Sequence, residues 1–133
     1  MQLTILVGAP GSGKSTYASK QNYDYIINDD DIKDRGCENV SKEISRLLGE
    51  YSHSNLKICL DAMIVICGVV SIAKEYNAKI VILDKDVSTC ISNNQKRTRH
   101  VSEGSIRFFN SYIKSNIEFY QNEIGKDNVT IIH

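Results

Sequence analysis

Apolar positions along the chain follow two alternating periods. Residues 3–7, 23–27, 56–60, 79–83 and 129–132 form short runs rich in Val, Ile, Leu and Tyr. Runs of that length and composition, bounded by polar residues, predict strands. The stretches between them predict helices. One covers 15–21, and a short one runs from Ile32 to about Arg35, broken near Gly36. A third spans 41–51, with Ile44, Leu47 and Leu48 on one face, before a polar break over 49–55. Residues 64–76 are mostly apolar and predict a buried helix, although their β-branched content weakens the helical preference. Another helix covers 87 to about 96. The last opens at Ser102 and reaches about Glu123, with Ile106, Phe109, Ile113, Ile117 and Tyr120 on one stripe.

Strands that are apolar throughout, separated by helices, indicate a parallel sheet covered on both faces. At 133 residues the expectation is a single α/β domain over 1–133, large enough to bury a core without staples. There are no repeats, low-complexity segments or linkers. Sixteen basic and sixteen acidic residues cancel, so no global field would hold a long duplex, although a local groove for nucleic acid remains compatible. Neither a signal sequence nor a bilayer-length apolar stretch is visible, and a cytoplasmic protein is expected. Cys37, Cys59, Cys67 and Cys90 form no C-x-x-C pair and no zinc spacing, and are expected to be reduced, buried thiols. His53, His100 and His133 are too scattered to suggest a metal site.

Within this frame, Gly8-Ala9-Pro10-Gly11-Ser12-Gly13-Lys14-Ser15-Thr16 stands between the first strand and the first helix. It has the G-x-x-x-x-G-K-S spacing of a phosphate-binding loop in the context that loop requires. Gly8, Gly11 and Gly13 permit backbone angles and close approaches that other residues refuse. Loop N–H groups and a helix N-terminus then face the anion. Lys14 can reach the β- and γ-phosphates, and the Ser15 hydroxyl can ligate Mg²⁺.

In an open parallel sheet, ligands bind beyond the strand C-terminal ends. Polar residues just past those ends are therefore candidates: Asn28 to Asp31, Asp61, and Asp84 to Asp86. Asp61 directly follows the third strand, as a Walker-B-like acid holding Mg²⁺ beside Ser15 would, or as a helix cap would. Among Asp29, Asp30 and Asp31, one can accept a proton from an acceptor hydroxyl and another can cap a helix, and spacing does not choose between them. The basic connection Lys96-Arg97-Thr98-Arg99-His100 offers Arg97 and Arg99 to a transferring phosphoryl group, or is a solvated turn at a helix C-terminus.

Taken together, these segments resemble the kinase domain of bacteriophage-type polynucleotide kinase, within the P-loop kinases. The resemblance extends from Ile5 to about Phe119. Residues 5–16 are similar to that family's GxPGSGKST loop, and residues 25–33 to its N-x-D-D-x-x-R segment. It implies a three-layer fold with strand order 2-3-1-4-5 and a small lid at about 96–104. ATP would be held by Gly8, Ala9, Gly11, Ser12, Gly13, Lys14, Ser15, Thr16 and the lid residue Arg97. Asp30 falls at the family's general base, Lys33 at an arginine that holds the acceptor's phosphate, and Asp61 at the acid ending the third strand. Lys14, Asp30 and Arg97 would be the catalytic residues, and Ser15 and Asp61 the metal ligands. Departures occur at Lys33, which keeps the charge without the bidentate fork, and at Ala62, Met63 and the apolar run 64–66, where the family has polar residues and then an arginine. No Asp-x-Asp-x-Thr signature is present, so no 3′-phosphatase activity is expected.

The leading expectation is an ATP- and Mg²⁺-dependent kinase of the 5′-hydroxyl of DNA or RNA. It would use ATP or another NTP and accept a single-stranded nucleic-acid end, in the host cytoplasm if phage-encoded. A kinase of a small acceptor, such as a nucleoside or nucleoside monophosphate, uses the same fold and ATP site. A nucleotide-binding module acting through a protein partner is the third reading, and it would not need Asp30 with Arg97.

Overall fold

The computed structural model describes residues 1–61, 68–98 and 100–133. Its centre is a five-stranded parallel sheet in the order β2-β3-β1-β4-β5. The strands are β1 (Gln2–Gly8), β2 (Tyr25–Asn28), β3 (Lys57–Asp61), β4 (Lys79–Leu83) and β5 (Val129–Ile132). The helices are α1 (Lys14–Ser19), α2 (Asp29–Asp34), α3 (Val40–Tyr51), α4 (Val69–Tyr76), α5 (Val87–Gln95) and α6 (Glu103–Ile124). The strand order agrees with that implied by the sequence resemblance. The predicted helix over 64–76 is observed from Val69 onward, while residues 62–67, including Cys67 and the apolar run after Asp61, lie outside the described residues, as does Arg99.

Period-two alternation divides each inner strand between two cores. Leu3, Ile5 and Val7, with Ile58, Leu60, Ile80 and Ile82, face a core closed by α3, α4 and α6 through Ile44, Leu48, Ala73, Ile106, Ile113 and Tyr120. Leu6, Cys59, Val81 and Leu83 face the opposite side, where Ala18 and Tyr17 of α1 cover them. Both faces are therefore buried, which is why these strands read as unbroken apolar runs. Each fully buried Ile or Leu contributes about 1.5–3 kcal/mol.

Several boundaries differ from the sequence expectation. Strand β2 starts at Tyr25 rather than Tyr23, although the Asp24 carboxylate already accepts from the Lys57 N–H at 2.8 Å. Helix α1 ends at Ser19, and the next two residues close a turn onto Tyr17 and Ala18. Helix α2 begins at Asp29 rather than Ile32. Asn28 is its cap: Oδ1 accepts from the N–H groups of Asp30 and Asp31 at 2.9 and 3.2 Å. The three aspartates then fill the first turn, where the helix macrodipole favours negative charge. Gly49 does not break α3, which continues to Tyr51.

Two buried asparagines hold the region around α5. Asn94 and Val101 exchange hydrogen bonds, Nδ2 to the Val101 carbonyl at 2.7 Å and Val101 N–H to Oδ1 at 3.0 Å, pinching the base of the α5–α6 loop. Asn110 of α6 donates to the Lys85 carbonyl at 2.7 Å, tying α6 to the start of α5. Cys59 and Cys90 are buried free thiols, whereas Cys37 is only half-buried. No helix among the described residues is long and apolar enough to cross a membrane.

Candidate active site

The C-terminal ends of β1, β2 and β3 open into a cleft of about 550 Å³. Its lining combines the loop residues Ala9 to Gly11 and Gly13 to Thr16 with Asn28, Asp29, Asp30 and Lys33. Asp61 forms part of the wall, and Asn93, Lys96, Arg97, Val101 and Phe109 close the far side. Lys14, Ser15, Asp30, Lys33, Asp61 and Arg97 therefore share one cavity. Gly8 and Ser12 sit behind its surface.

The loop is wound tightly. The Ser12 N–H donates to the Ala9 carbonyl at 3.0 Å, and Gly11 and Gly13 both have positive φ, 82° and 92°. A Cβ on Gly8 would stand 2.4 Å from Ser12 Oγ, and one on Gly11 would stand 2.2 Å from the Cys90 carbonyl oxygen. Gly11 thus lets the loop lie directly against α5, where Asn93 Nδ2 donates to its carbonyl at 2.9 Å. Ser12 Oγ is buried without a hydrogen-bond partner among the described residues. An orphaned hydroxyl inside a glycine loop, two residues from half-buried Lys14, fits an anionic ligand.

Strand register brings the acidic wall together. Asn28 and Asp61 are paired positions on β2 and β3, so their side chains meet, and Asn28 Nδ2 donates to Asp61 Oδ2 at 3.2 Å. Ser15 Oγ lies 3.5 Å from the same oxygen. Burial pushes the Asp61 carboxyl above its ordinary range, Asp29 adds to the rise, and Lys14, Asn28 and Ser15 oppose it. Burial likewise pulls the Lys14 ammonium down and Arg97 adds to that, while Asp61, Asp29 and Asp30 counteract. Lys14 Nζ donates to the Gly8 carbonyl at 2.8 Å.

The described residues contain no cluster of three His, Cys, Asp or Glu able to cage a metal. The Ser15 hydroxyl and the Asp61 carboxylate are instead a sparse pair of hard oxygen donors. That suits Mg²⁺, which keeps several waters and takes few protein ligands.

Asp84 to Asp86 do not join the cleft, contrary to the sequence expectation. Asp84 pairs with Lys114 of α6 and lies 3.3 Å from the His133 ring. Asp86 accepts from the Ser88 and Thr89 hydroxyls in the first turn of α5. Standing just past a strand end is therefore insufficient; β4 ends beside α6, whose lysine takes the charge. The structure gives two of the sequence candidates, Asn28 and Asp29, a definite place in the cleft and adds Asn93. Asn28 is both the α2 cap and the partner of Asp61. Asp29, one of three aspartates that spacing could not separate, is buried against Lys14. Asn93 has no sequence signal, because its role depends on the packing of α5 against Gly11.

No family model matches the chain, and no curated protein matches it. Solved structures do. A chain of the Pnkp1/Rnl/Hen1 RNA repair complex superposes with a TM-score of 0.73 at 19% identity, over 89% of this chain and 45% of that one. The chain thus spans less than half the length of that protein. Shikimate kinase from Bacteroides thetaiotaomicron gives 0.60 at 16% identity, over 92% and 83%. Deoxyadenosine kinase from M. mycoides gives 0.53 at 16%, over 99% and 90%. The shared architecture is the P-loop kinase fold, with its five-stranded parallel sheet.

Proposed function

We propose that this P-loop kinase fold serves as an ATP-dependent phosphotransferase acting on the 5′-hydroxyl of a polynucleotide. The observation that carries the reading is the shared cleft. It joins a phosphate loop, an acid–hydroxyl pair at Asp61 and Ser15, a carboxylate on α2 at Asp30, and two separate cations at Lys33 and Arg97. A module that only bound nucleotide would need the first two.

In this mechanism the loop N–H groups and Lys14 hold the β- and γ-phosphates. Asp61 and Ser15 would hold Mg²⁺, which would neutralise charge on the phosphate oxygens. Asp30 orients the acceptor hydroxyl and takes its proton. The acceptor oxygen bonds to the γ-phosphorus as the bond to the β-phosphate oxygen breaks, and ADP leaves. Arg97, on the loop pinned by Asn94 and Val101, offsets the charge spread over the moving phosphoryl oxygens. Lys33, one turn along α2 from Asp30, attracts a phosphate on the 3′ side of the acceptor. Its single ammonium gives charge without a fork, so it favours a phosphate more than it fixes its angle.

The polynucleotide acceptor draws support from the likeness to an RNA repair protein and from Lys33. A small acceptor is the second reading, favoured by the metabolite and nucleoside kinases whose length the chain covers far more fully. Transfer from γ-labelled ATP to 5′-hydroxyl DNA and RNA oligonucleotides, nucleosides, nucleoside monophosphates and shikimate separates them. Label on oligonucleotides in preference to free nucleosides is the expected result, and label on a small acceptor alone would replace this reading with the second.

A further inference from the structure

Helix α6 carries an aromatic surface that starts at Phe109, packed against the larger core, and runs outward from it. Phe109 lines the cleft. Phe108 packs edge-on against it, with ring centroids 5.4 Å apart at 74°. Tyr112, one turn along, lies nearly parallel to Phe108 at 6.2 Å and 27°. Phe108 is 63% exposed. The three rings form a continuous path from inside the cleft to the outer face of α6. Leaving a large ring that exposed forgoes the burial that stabilises other aromatics, so its place beside a functional cleft points to a ligand.

The surroundings select the ligand. Lys96 and Arg97 stand on the cleft side, and exposed His100 and Arg107 flank the start of α6. Glu103, paired with Arg107 at 2.8 Å, is the acid in the first turn of the helix. A ring surface bordered by cations matches a chain of bases and phosphates, with every base able to stack on an exposed ring and every phosphate drawn to a nearby cation. An apolar protein partner would desolvate the charges of Lys96 and Arg97 without offering them an anion.

We infer that Phe108, continued by Phe109 and Tyr112, is a stacking platform for unpaired bases of a single-stranded nucleic acid whose end occupies the cleft. The inference rests on the polynucleotide reading above and adds how the strand beyond its reacting end is held. The platform reads no sequence, because each base offers the same flat face. It demands an unpaired strand, because a duplex hides those faces.

The test uses the full chain. Phe108→Ala removes the exposed ring and should leave the fold intact. Its KM for an oligonucleotide of several bases is expected to rise about 5- to 100-fold, with KM for a nucleoside 3′-phosphate and for ATP held. Abasic sites behind the reacting end should abolish the difference between variant and wild type. Phe119→Ala is the control, an exposed ring on the same helix about 16 Å farther along. The chain has no tryptophan, so Phe108→Trp supplies a single reporter. Its fluorescence should quench on adding oligodeoxynucleotide and stay unchanged with the abasic strand.

An oligonucleotide KM and affinity in Phe108→Ala equal to those of wild type, with wild-type transfer to oligonucleotides intact, would overturn the platform and spare the polynucleotide reading. Quenching and weakened binding without any transfer would uphold the platform and remove that reading. Transfer to small acceptors alone, with no quenching, would overturn both.

Discussion

Replacing Gly11 by alanine should destabilise the protein far more than the same change at Gly13, two residues on. Both glycines have positive φ, 82° and 92°, so each alanine pays about 1–2 kcal/mol for a left-handed conformation. At Gly13 that is the whole cost, since an added Cβ meets nothing within 4 Å. At Gly11 the Cβ would stand 2.2 Å from the Cys90 carbonyl oxygen and 3.0 Å from its carbon. Backbone cannot rotate away as a side-chain tip can, so the loop must lift from α5. Overpacking of that kind costs about 1–3 kcal/mol. The lift also breaks the Asn93-to-Gly11 hydrogen bond, at about 0.5–1.5 kcal/mol. Gly11→Ala is therefore expected to lose about 3–6 kcal/mol, a large part of the 5–15 kcal/mol typical of a domain. Urea unfolding without nucleotide, read by circular dichroism, gives the difference directly if the slope is unchanged. Stabilities of the two variants within about 1 kcal/mol of each other would refute the close packing of loop and helix.

Four further outcomes are expected. Asp30→Ala should retain ATP binding by calorimetry and lose about 10²–10⁴-fold in transfer, the usual worth of a general base. Arg97→Ala should lower kcat by roughly 10³-fold, with Arg97→Lys recovering little, because lysine lacks the planar fork. Asp61→Asn should abolish Mg²⁺-dependent transfer while protecting the fold. The folded-state carboxyl titrates above its unfolded value, so wild-type stability in EDTA should fall as pH rises from the unfolded value through the folded one; the asparagine variant should lack that fall. Burial pushes the Cys59 thiol up to about 12 and raises that of Cys90. Native protein at pH 8 should therefore be alkylated by iodoacetamide at half-buried Cys37 and spared at Cys59 and Cys90, as peptide mass mapping would show.

The strands were legible because a parallel sheet buried on both faces leaves unbroken apolar runs, and β4 and β5 begin and end where those runs do. The phosphate loop was legible because its glycines and lysine are close in sequence and its flanks are a strand and a helix. The start of α2 was not: Asn28 and three aspartates look like a turn, and only the capping bonds from Asn28 show that the acids already belong to the helix. Asp84 looked equivalent to Asp61, each following a strand. The difference lies in what packs opposite, Lys114 in one case and Ser15 with Asn28 in the other. Asn93 and Phe108 carry no local signal at all, since contact with Gly11 and with Phe109 gives them their interest. Family resemblance supplied what spacing left open, the choice of Asp30 and Arg97, and both line the cleft with the loop.

The most direct measurement is single-turnover transfer from γ-labelled ATP to a 5′-hydroxyl oligonucleotide, run side by side with wild type and Asp30→Asn at matched ATP occupancy. Asp30 as the general base of a 5′-hydroxyl kinase requires labelled phosphate at the oligonucleotide 5′ end with wild type, and its near-complete loss in the variant while ATP binding persists. Label absent from the oligonucleotide with wild type, or equal transfer by Asp30→Asn, would contradict that role.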